Sequence, residues 1–169
     1  MSKTIYFAGG CFWGMEKVFQ IVPRVLETTV GYANGITDNP TYEEVCSNIT
    51  KHRETVKVIY DEKKVSLETL LDVFFICIDP TVKDRQGNDI GTQYQTGVYY
   101  SIQDDYPIIM KKFEEEKKKY NPFEVECSKL KCFYDAEEYH QDYLMKNPNG
   151  YCHITNAEME EVKEYLKNR

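Results

Sequence analysis

The sequence predicts an α+β protein built as a two-layer sandwich of helices packed on one mixed sheet. Segments with strand patterns interleave with helical segments along the 169 residues, but the alternation is too irregular for a doubly wound parallel sheet. No internal repeat, low-complexity stretch or Pro/Gly/Ser-rich linker divides the chain. A chain of this length can bury a substantial core, so we expect a single domain over residues 1–169.

The first elements are a strand, a helix and a second strand. The apolar run Thr4–Ala8 is typical of a strand, and Met15 to about Val22 has the spacing of an amphipathic helix. Pro23 ends that helix because proline lacks the N–H group that the next turn requires. The segment Val25–Tyr32 is rich in β-branched residues and is predicted as the second strand.

A loop of turn-forming residues over 33–40 separates the second strand from the third. Apolar and polar residues alternate cleanly along Glu54–Asp61, which predicts a half-buried strand. Ser66 is a suitable N-cap for the strongly apolar helix that follows, from Leu67 to about Ile78. Pro80 closes this helix.

The second half of the chain begins with a long polar loop over 81–95, of the kind that often carries function. A short strand over Gly97–Tyr100 follows, and then a helix over Asp104–Tyr120 with a charged outer face. We interpret that charge run as a solvated surface. The segment Phe123–Leu130 is predicted as a further strand.

The C-terminal region is predicted to hold a short helix over Asp135–Met145, which Asn147–Gly150 interrupts. Thr155 and Glu158 have the spacing of a capping box and begin the last helix. Together the elements predict a two-layer α/β sandwich with a ferredoxin-like core, a coil tail and a C-terminal helix. The expected parts are an α/β core over 1–146, a tail over 147–155 and a helix over 156–168.

Composition excludes several classes of function. The net charge of −7 and a pI near 5.1 argue against nucleic acid as a partner, because phosphate binding requires a basic surface. No run of 18 apolar residues predicts a membrane-spanning helix, and the N-terminus lacks the apolar core of a signal peptide. We therefore expect a cytoplasmic protein. Its six irregularly spaced cysteines are then expected as thiols rather than as a disulfide framework.

The segment Gly9–Gly14 is the most informative part of the sequence. It places Cys11 between glycines, after a predicted strand and before a predicted helix. A thiol at such a turn lies at the positive end of the helix dipole, so we expect the thiolate to be favoured. Phe12 and Trp13 follow directly and can form an apolar wall beside the sulfur.

A cysteine nucleophile that reduces a substrate also needs a proton donor, and three residues are candidates. Glu54 opens an apolar strand rather than lying in a charge cluster, so burial could keep its carboxyl protonated. Tyr42 and Tyr94 lie in predicted loops from which a phenol can donate a hydrogen bond. Taken by themselves, all three are better explained as ordinary surface residues, an exposed glutamate at a strand end and two tyrosines that stack on the surface.

Several motifs together resemble the A-type peptide methionine sulfoxide reductases. The blocks occur in the order typical of that family and span about residues 4–153. They are Gly10–Gly14, Tyr42–Cys46, His52–Glu54, Asp84–Tyr94, Phe133–Gln141 and Asn147–Cys152.

The resemblance implies a role for each candidate residue in the chemistry. Cys11 would attack the sulfur of methionine sulfoxide, while Glu54 would protonate the sulfoxide oxygen. Tyr42 and Tyr94 would hydrogen-bond that oxygen, and Asp89 would support the site as a nearby polar residue. Cys11 would then become a sulfenic acid as methionine leaves.

Substrate selection and recycling are implied in the same way. Phe12 and Trp13 would hold the terminal methyl group and so select the S epimer of free or protein-bound methionine sulfoxide. Cys152 would attack the sulfenic acid to form a disulfide, which thioredoxin would reduce. We expect the protein to be a monomer and to need no metal or organic cofactor. Unlike many relatives, this chain continues from Cys152 into a charged helix without a further cysteine, so the helix could restrain the tail.

Two other interpretations of the sequence remain open. The first is a thiol peroxidase that uses Cys11, although no arginine is close to it in sequence. The second is a zinc-stapled binding module, although the spacing of its first two cysteines is a poor zinc knuckle. Its ligands would be Cys127, Cys132, Cys152 and either His153 or His140. Of the remaining cysteines, Cys77 and Cys46 are expected to be buried.

Overall fold

The computed structural model describes residues 1–169 as one mixed six-stranded sheet with helices, a short hairpin and a C-terminal helix. The strands are β1 Ser2–Ala8, β2 Val25–Ala33, β3 Arg53–Asp61, β4 Arg85–Gln86, β5 Asp89–Ile90, β6 Gly97–Tyr100, β7 Glu126–Lys129 and β8 Phe133–Asp135. The helices are α1 Phe12–Gln20, α2 Tyr42–Cys46, α3 Leu67–Cys77, α4 Asp105–Lys117, α5 Tyr143–Lys146 and α6 Asn156–Lys167, with 3₁₀ turns at Thr92–Tyr94 and Glu138–His140.

The sheet has the strand order β7-β6-β1-β3-β2-β8. Its four central strands and two crossover helices follow the chain order β1-α1-β2-β3-α3-β6, which is the ferredoxin-like arrangement. All pairings among these four strands are antiparallel, whereas β7 pairs parallel to β6 and makes the sheet mixed. The predicted α+β fold class is confirmed.

The core lies between the sheet and its crossover helices. Phe7 of β1 stacks on Phe19 of α1 with ring centroids 4.6 Å apart, and Phe74 of α3 packs on the Phe7 ring with centroids 5.2 Å apart. The 30-residue apolar cluster extends into the C-terminal region, where α6 contributes Met159 and Val162. Burial of these side chains at about 25 cal/mol per Å² of apolar surface is the main force that holds α6 on the domain.

Local signals account for the helix ends that were predicted correctly. The Ser66 hydroxyl accepts a hydrogen bond from the Thr69 N–H at 3.1 Å and caps α3. Thr155 and Glu158 form the expected capping box at the start of α6. None of the helices is long and apolar enough to cross a membrane.

Three predicted elements are wrong in their bounds. Helix α1 begins at Phe12 rather than Met15, so Cys11 itself is the N-cap residue. The strand predicted over 123–130 is paired only at Glu126–Lys129. The helix predicted over 135–145 is broken into the end of β8, a 3₁₀ turn and α5, because Asp142 adopts a left-handed conformation with φ 53°.

Candidate active site

The backbone around Cys11 is a tight turn between β1 and α1. Gly10 has φ 88°, a conformation that glycine adopts without steric cost. A side chain at Gly10 would also bring its Cβ to 2.8 Å from Cβ of Gln86. The turn therefore requires glycine, and it places the Cys11 sulfur at the N-terminus of α1 with only 7 % of the residue exposed.

The charge state of Cys11 differs from the sequence-based expectation. Burial, followed by the nearby Glu54 carboxyl, raises the pKa of the Cys11 thiol far above its ordinary value. The N–H groups of Trp13 and Gly14 point at the sulfur and lower this pKa, but by less. The predicted stabilisation by the helix N-terminus is therefore present, yet desolvation outweighs it, and the thiol is protonated in the free protein.

Glu54 is buried beside Cys11. Its carboxyl accepts a hydrogen bond from the N–H of Phe12 at 3.2 Å, so it binds directly to the first turn of α1. The residue is 2 % exposed, and burial raises its pKa from 4.5 to about 8, although the hydrogen bond from Phe12 acts in the opposite direction. A carboxyl with this pKa is protonated at neutral pH and can donate a proton.

Two phenols and a second carboxyl complete the polar part of the site. Tyr42 is the first residue of α2 rather than a loop residue, and Tyr94 ends the 3₁₀ turn. Burial raises the pKa of the Tyr94 phenol above its ordinary value, and the neighbouring Glu54, Tyr42, Cys11 and Asp89 raise it further. Those four groups are therefore close enough to the Tyr94 hydroxyl for their charges to act on it.

Asp89 lies on β5 at the edge of this group. Its carboxylate accepts a hydrogen bond from the Tyr151 hydroxyl at 3.0 Å. Asp89 also acts on the pKa values of Cys11 and Glu54, raising both. A residue of the tail thus contacts the same carboxylate that faces the site.

Phe12 and Trp13 lie on the apolar side of the site, in a cluster of rings. The Phe12 ring is 5.8 Å from that of Tyr32 and 5.2 Å from that of His140. The Trp13 indole stacks on Tyr143 with centroids 3.8 Å apart and planes 10° from parallel. Its N–H donates to Nδ1 of His140 at 3.0 Å.

The tail brings Cys152 close to the first turn of α1. A side chain at Gly14 would place its Cβ 3.1 Å from the Cys152 sulfur, and the Gly14 N–H points at the Cys11 sulfur. Both sulfurs therefore lie beside Gly14. The tail is also anchored by His153, whose Nε2 bonds to the Gly9 carbonyl at 2.8 Å.

Two of the other cysteines border this arrangement, because in addition to burial Cys46 raises the pKa of the Tyr42 phenol and Cys152 raises that of the Cys77 thiol. All six are free thiols, and Cys77 is buried at the end of α3 as expected. Cys46 is only partly buried, contrary to the prediction, because it lies on the short helix α2 that the sequence did not indicate. Nowhere in the chain do three His, Cys, Asp or Glu side chains form a group that could hold a metal ion. The ligands of the zinc alternative are therefore not assembled.

Comparison with known proteins establishes the family. The family model described as peptide methionine sulfoxide reductase matches residues 3–169. The chain belongs to this family. A relative from Clostridium botulinum strain Hall, named peptide methionine sulfoxide reductase MsrA, is 55% identical over 153 residues, which cover 90% of this chain and 98% of the relative. The expectation of an A-type reductase enzyme is confirmed.

Solved structures agree with the fold of the reductase. The reduced form of Mxr1 from Saccharomyces cerevisiae has a TM-score of 0.85 and 41% identity, and the match covers 89% of this chain and 88% of that one. A structure of Mxr1 in complex with Trx2 has a TM-score of 0.61 and 30% identity, with 84% of each chain covered.

The reductase also contains site residues that were not predicted from the sequence to take part in sulfoxide reduction. Glu137 accepts hydrogen bonds from the Tyr32 hydroxyl at 2.8 Å and the Tyr42 N–H at 2.9 Å, and so positions both rings. His140 and Tyr143 hold Trp13. The sequence signal was the aromatic and histidine content of 133–143, but the helix predicted there placed these side chains incorrectly.

Proposed function

We propose that this enzyme reduces the S epimer of methionine sulfoxide, free or in oxidised proteins, through a sulfenic acid at Cys11. The observation that carries the proposal is the buried pair of Cys11 and Glu54 at the N-terminus of α1. Glu54 is a proton donor with a pKa of about 8, and Cys11 is a thiol whose pKa is raised by burial and by that same carboxyl. The protonation states of the pair are therefore coupled.

The first chemical step uses this coupling. Glu54 transfers its proton to the sulfoxide oxygen, which makes the substrate sulfur electrophilic. The resulting carboxylate is the base that takes the Cys11 proton, and the thiolate attacks the substrate sulfur. Transfer of the hydroxyl group to Cys11 then gives the sulfenic acid and releases methionine. Cys11 loses two electrons, the substrate gains them, and Glu54 is protonated again.

Tyr42 and Tyr94 would bind the sulfoxide oxygen as this proton moves. Burial, then the carboxyl of Glu54, raises both phenol pKa values, so both hydroxyls keep their protons and act as hydrogen-bond donors. Donors held in place before the reaction stabilise developing charge without reorganisation. Asp89 supports the site by binding the Tyr151 hydroxyl.

The rings of Phe12 and Trp13 would hold the terminal methyl group of the substrate. With the oxygen directed to the phenols and the methyl group to the rings, the third substituent of the sulfur has only one direction left. Because the sulfur is a chiral centre, this three-point arrangement accepts one epimer. A peroxide has no methyl group to fill the apolar wall, and the charged groups that act on Cys11 are the carboxyls of Glu54 and Asp89 rather than a cation.

Cys152 is proposed as the thiol that resolves the sulfenic acid. It attacks the Cys11 sulfur, forms a disulfide and releases water. The proximity of both sulfurs to Gly14 supports this step. Thioredoxin would then reduce the disulfide, as the structure of Mxr1 with Trx2 suggests for this family. No metal or organic cofactor enters these steps. We also propose that the enzyme works as a monomer in the reducing cytoplasm.

The decisive experiment is the reduction of a racemic, N-blocked methionine sulfoxide with dithiothreitol, followed by chiral chromatography. We expect the S epimer to disappear and the R epimer to remain. Trapping of a sulfenic acid on Cys11 in a Cys152→Ser variant, followed by mass spectrometry, tests the intermediate. Consumption of both epimers would contradict the proposed selection by the methyl pocket. If neither epimer were consumed, the proposed activity would be rejected. Hydrogen peroxide as substrate in the same assay tests the peroxidase alternative.

A further inference from the structure

His153 joins the tail to the turn that carries Cys11. Its Nε2 bonds to the Gly9 carbonyl oxygen at 2.8 Å, and a Cβ at Gly10 would lie 3.1 Å from the same nitrogen. Because a carbonyl oxygen can only accept, Nε2 carries the hydrogen of the neutral ring. The other nitrogen, Nδ1, is therefore left with a free lone pair that can accept a proton.

Nδ1 of His153 contributes no hydrogen bond to the fold. It is shielded from solvent, yet no group of the protein is its partner. A buried polar atom without a partner destabilises a folded protein, so such an atom calls for an explanation. The groups beside Nδ1 supply one.

Nδ1 and the Cys152 sulfur converge on one point beside Gly14. A Cβ at Gly14 would lie 3.1 Å from that sulfur and 3.2 Å from Nδ1. The Gly14 N–H points at the Cys11 sulfur, so both thiols and the free lone pair border the same glycine. In the resting enzyme the Cys152 thiol donates to the Ile154 carbonyl oxygen at 3.5 Å, so its proton is not yet shared with the imidazole.

The surroundings of His153 keep its ring neutral at neutral pH. Burial lowers its pKa below the ordinary value, whereas the hydrogen bond to the backbone and the carboxylates of Asp89 and Glu158 raise it by less. Asp89 lies on β5 and Glu158 on α6, and the thiols of Cys11 and Cys152 are the other titratable groups beside the ring. A neutral imidazole in this position can act as a base toward a thiol.

We propose that His153 is the base that accepts the Cys152 proton when this thiol attacks the Cys11 sulfenic acid. The inference rests on the proposed function, because the base matters only if Cys152 resolves a sulfenic acid. The Cys152 sulfur turns from Ile154 toward Gly14 and provides the electron pair of the new S–S bond, while its proton passes to Nδ1. The S–O bond of the sulfenic acid breaks, and Nδ1 gives the proton to the leaving hydroxyl, so that water departs. Cys152 is oxidised, the sulfenic sulfur is reduced, and the imidazole is neutral again.

Competition with a trapping reagent measures this step in the wild-type enzyme. After one turnover without reductant, dimedone, a carbon nucleophile that traps sulfenic acids, competes with Cys152 for Cys11. The ratio of Cys11–Cys152 disulfide to dimedone adduct, read by mass spectrometry, gives the rate of resolution relative to trapping. This ratio does not depend on how fast the sulfenic acid forms.

The pH dependence of the ratio tests the base. A neutral imidazole is available throughout the range from about pH 6.5 to 8.5, so we expect the wild-type ratio to stay within about threefold over that range. A ratio that climbs about tenfold per pH unit would show that Cys152 attacks as a free thiolate formed without a base, and the proposal would fail.

The His153→Gln variant separates the base from the anchor. A glutamine amide can reach the position of Nε2 and donate to the Gly9 carbonyl, but it has no group that takes up a proton. We expect the ratio of disulfide to adduct at pH 7 to fall about a hundredfold and to climb with pH, because a free thiolate is then required. In the matched control, Glu158→Gln, the capping box of α6 is preserved and the ratio should change less than about threefold.

Two results with His153→Gln would overturn the proposal. A ratio within threefold of the wild-type ratio would show that His153 only anchors the tail. A lowered ratio that stays constant with pH would indicate a displaced tail rather than a lost base. The unfolding temperature shows whether the variant folds, and the wild-type pH profile decides the question if it does not.

These outcomes are distinguishable from failure of the proposed function. A wild-type enzyme that forms no methionine rejects the proposed activity. One that forms methionine but no Cys11–Cys152 disulfide rejects the proposed resolution, and the role of His153 with it. A wild-type enzyme that forms the disulfide, with a ratio that His153→Gln leaves unchanged, rejects the role of His153 alone.

Discussion

Replacement of Glu54 by glutamine separates the chemical role of the carboxyl group from its effect on the stability of the fold. Glutamine has nearly the same shape, and its carbonyl can still accept the Phe12 N–H that Glu54 accepts at 3.2 Å. It cannot donate a proton to the sulfoxide oxygen. We therefore expect the Glu54→Gln variant to fold normally and to react slowly.

The expected loss of rate follows from the role of a general acid. Such a group contributes about 10²–10⁴ in rate, and the amide N–H₂ of glutamine keeps part of the electrostatic stabilisation of the oxygen. A decrease on the order of 10²–10³ in the rate of methionine formation is expected. Glu54→Asp retains an acid at a greater distance from the site and serves as the matched control, with a smaller loss.

The same substitution should stabilise the protein at alkaline pH. The pKa of Glu54 rises from 4.5 to about 8 on folding. The protein therefore loses stability as the pH rises from 4.5 to about 8, because the unfolded chain ionises first. At about 1.4 kcal/mol per pKa unit, the whole loss amounts to at most about 5 kcal/mol. Glu54→Gln removes this dependence, so its advantage over the wild type should grow with pH up to about 8 and then stay constant.

Single-turnover measurements without reductant give the pH dependence of the chemistry alone. Each enzyme then forms one methionine, so the titration of dithiothreitol does not interfere. The wild-type rate should be flat below pH 8 and fall about tenfold per pH unit above it, because the active form carries protons on both Glu54 and Cys11. A rate that rises through pH 8 would indicate a reactive thiolate in the resting enzyme and refute the reasoning. A Glu54→Gln variant whose single-turnover rate lies within threefold of the wild-type rate would also refute it.

Three further predictions concern recycling, the oxygen site and stability. Cys152→Ser should abolish turnover with thioredoxin but leave the formation of one methionine per enzyme intact, as measured by rapid quench; an unchanged turnover would assign resolution to another thiol. Tyr42→Phe and Tyr94→Phe should each lower kcat/KM by about tenfold, and the double variant by about 10²–10³, since each removes one donor to the oxygen; silent single variants with an active double variant would contradict this. Glu16 is buried in α1, where it accepts hydrogen bonds from the Thr28 hydroxyl and the Asp142 N–H, and burial raises its pKa to about 7. Its folded state loses stability as the pH rises from about 4.5 to 7, so urea denaturation should show a Glu16→Gln variant gaining on the wild type over that range and not above it.

The fold could be predicted largely because its signals are local. The alternation along β3 and the caps at Ser66 and Thr155 involve residues only a few positions apart, and all three predictions agree with the structure. The prediction failed over 135–145, where Asp142 takes a left-handed conformation and its N–H binds the Glu16 carboxyl. That contact joins residues 126 positions apart, so no local pattern contains it.

The candidate site divides in the same way. The sequence by itself determined which residue types were present, and the turn of Gly9–Gly14 was sufficient to single out Cys11. Only the tertiary structure decided the charge states. Burial keeps Glu54 protonated and makes Cys11 a thiol, although the helix N-terminus alone favours a thiolate. The tertiary structure also decided that His140, 127 positions from Trp13, accepts the indole hydrogen bond. Propensities and caps act over a few neighbouring residues, whereas desolvation depends on every chain segment that excludes water from a group.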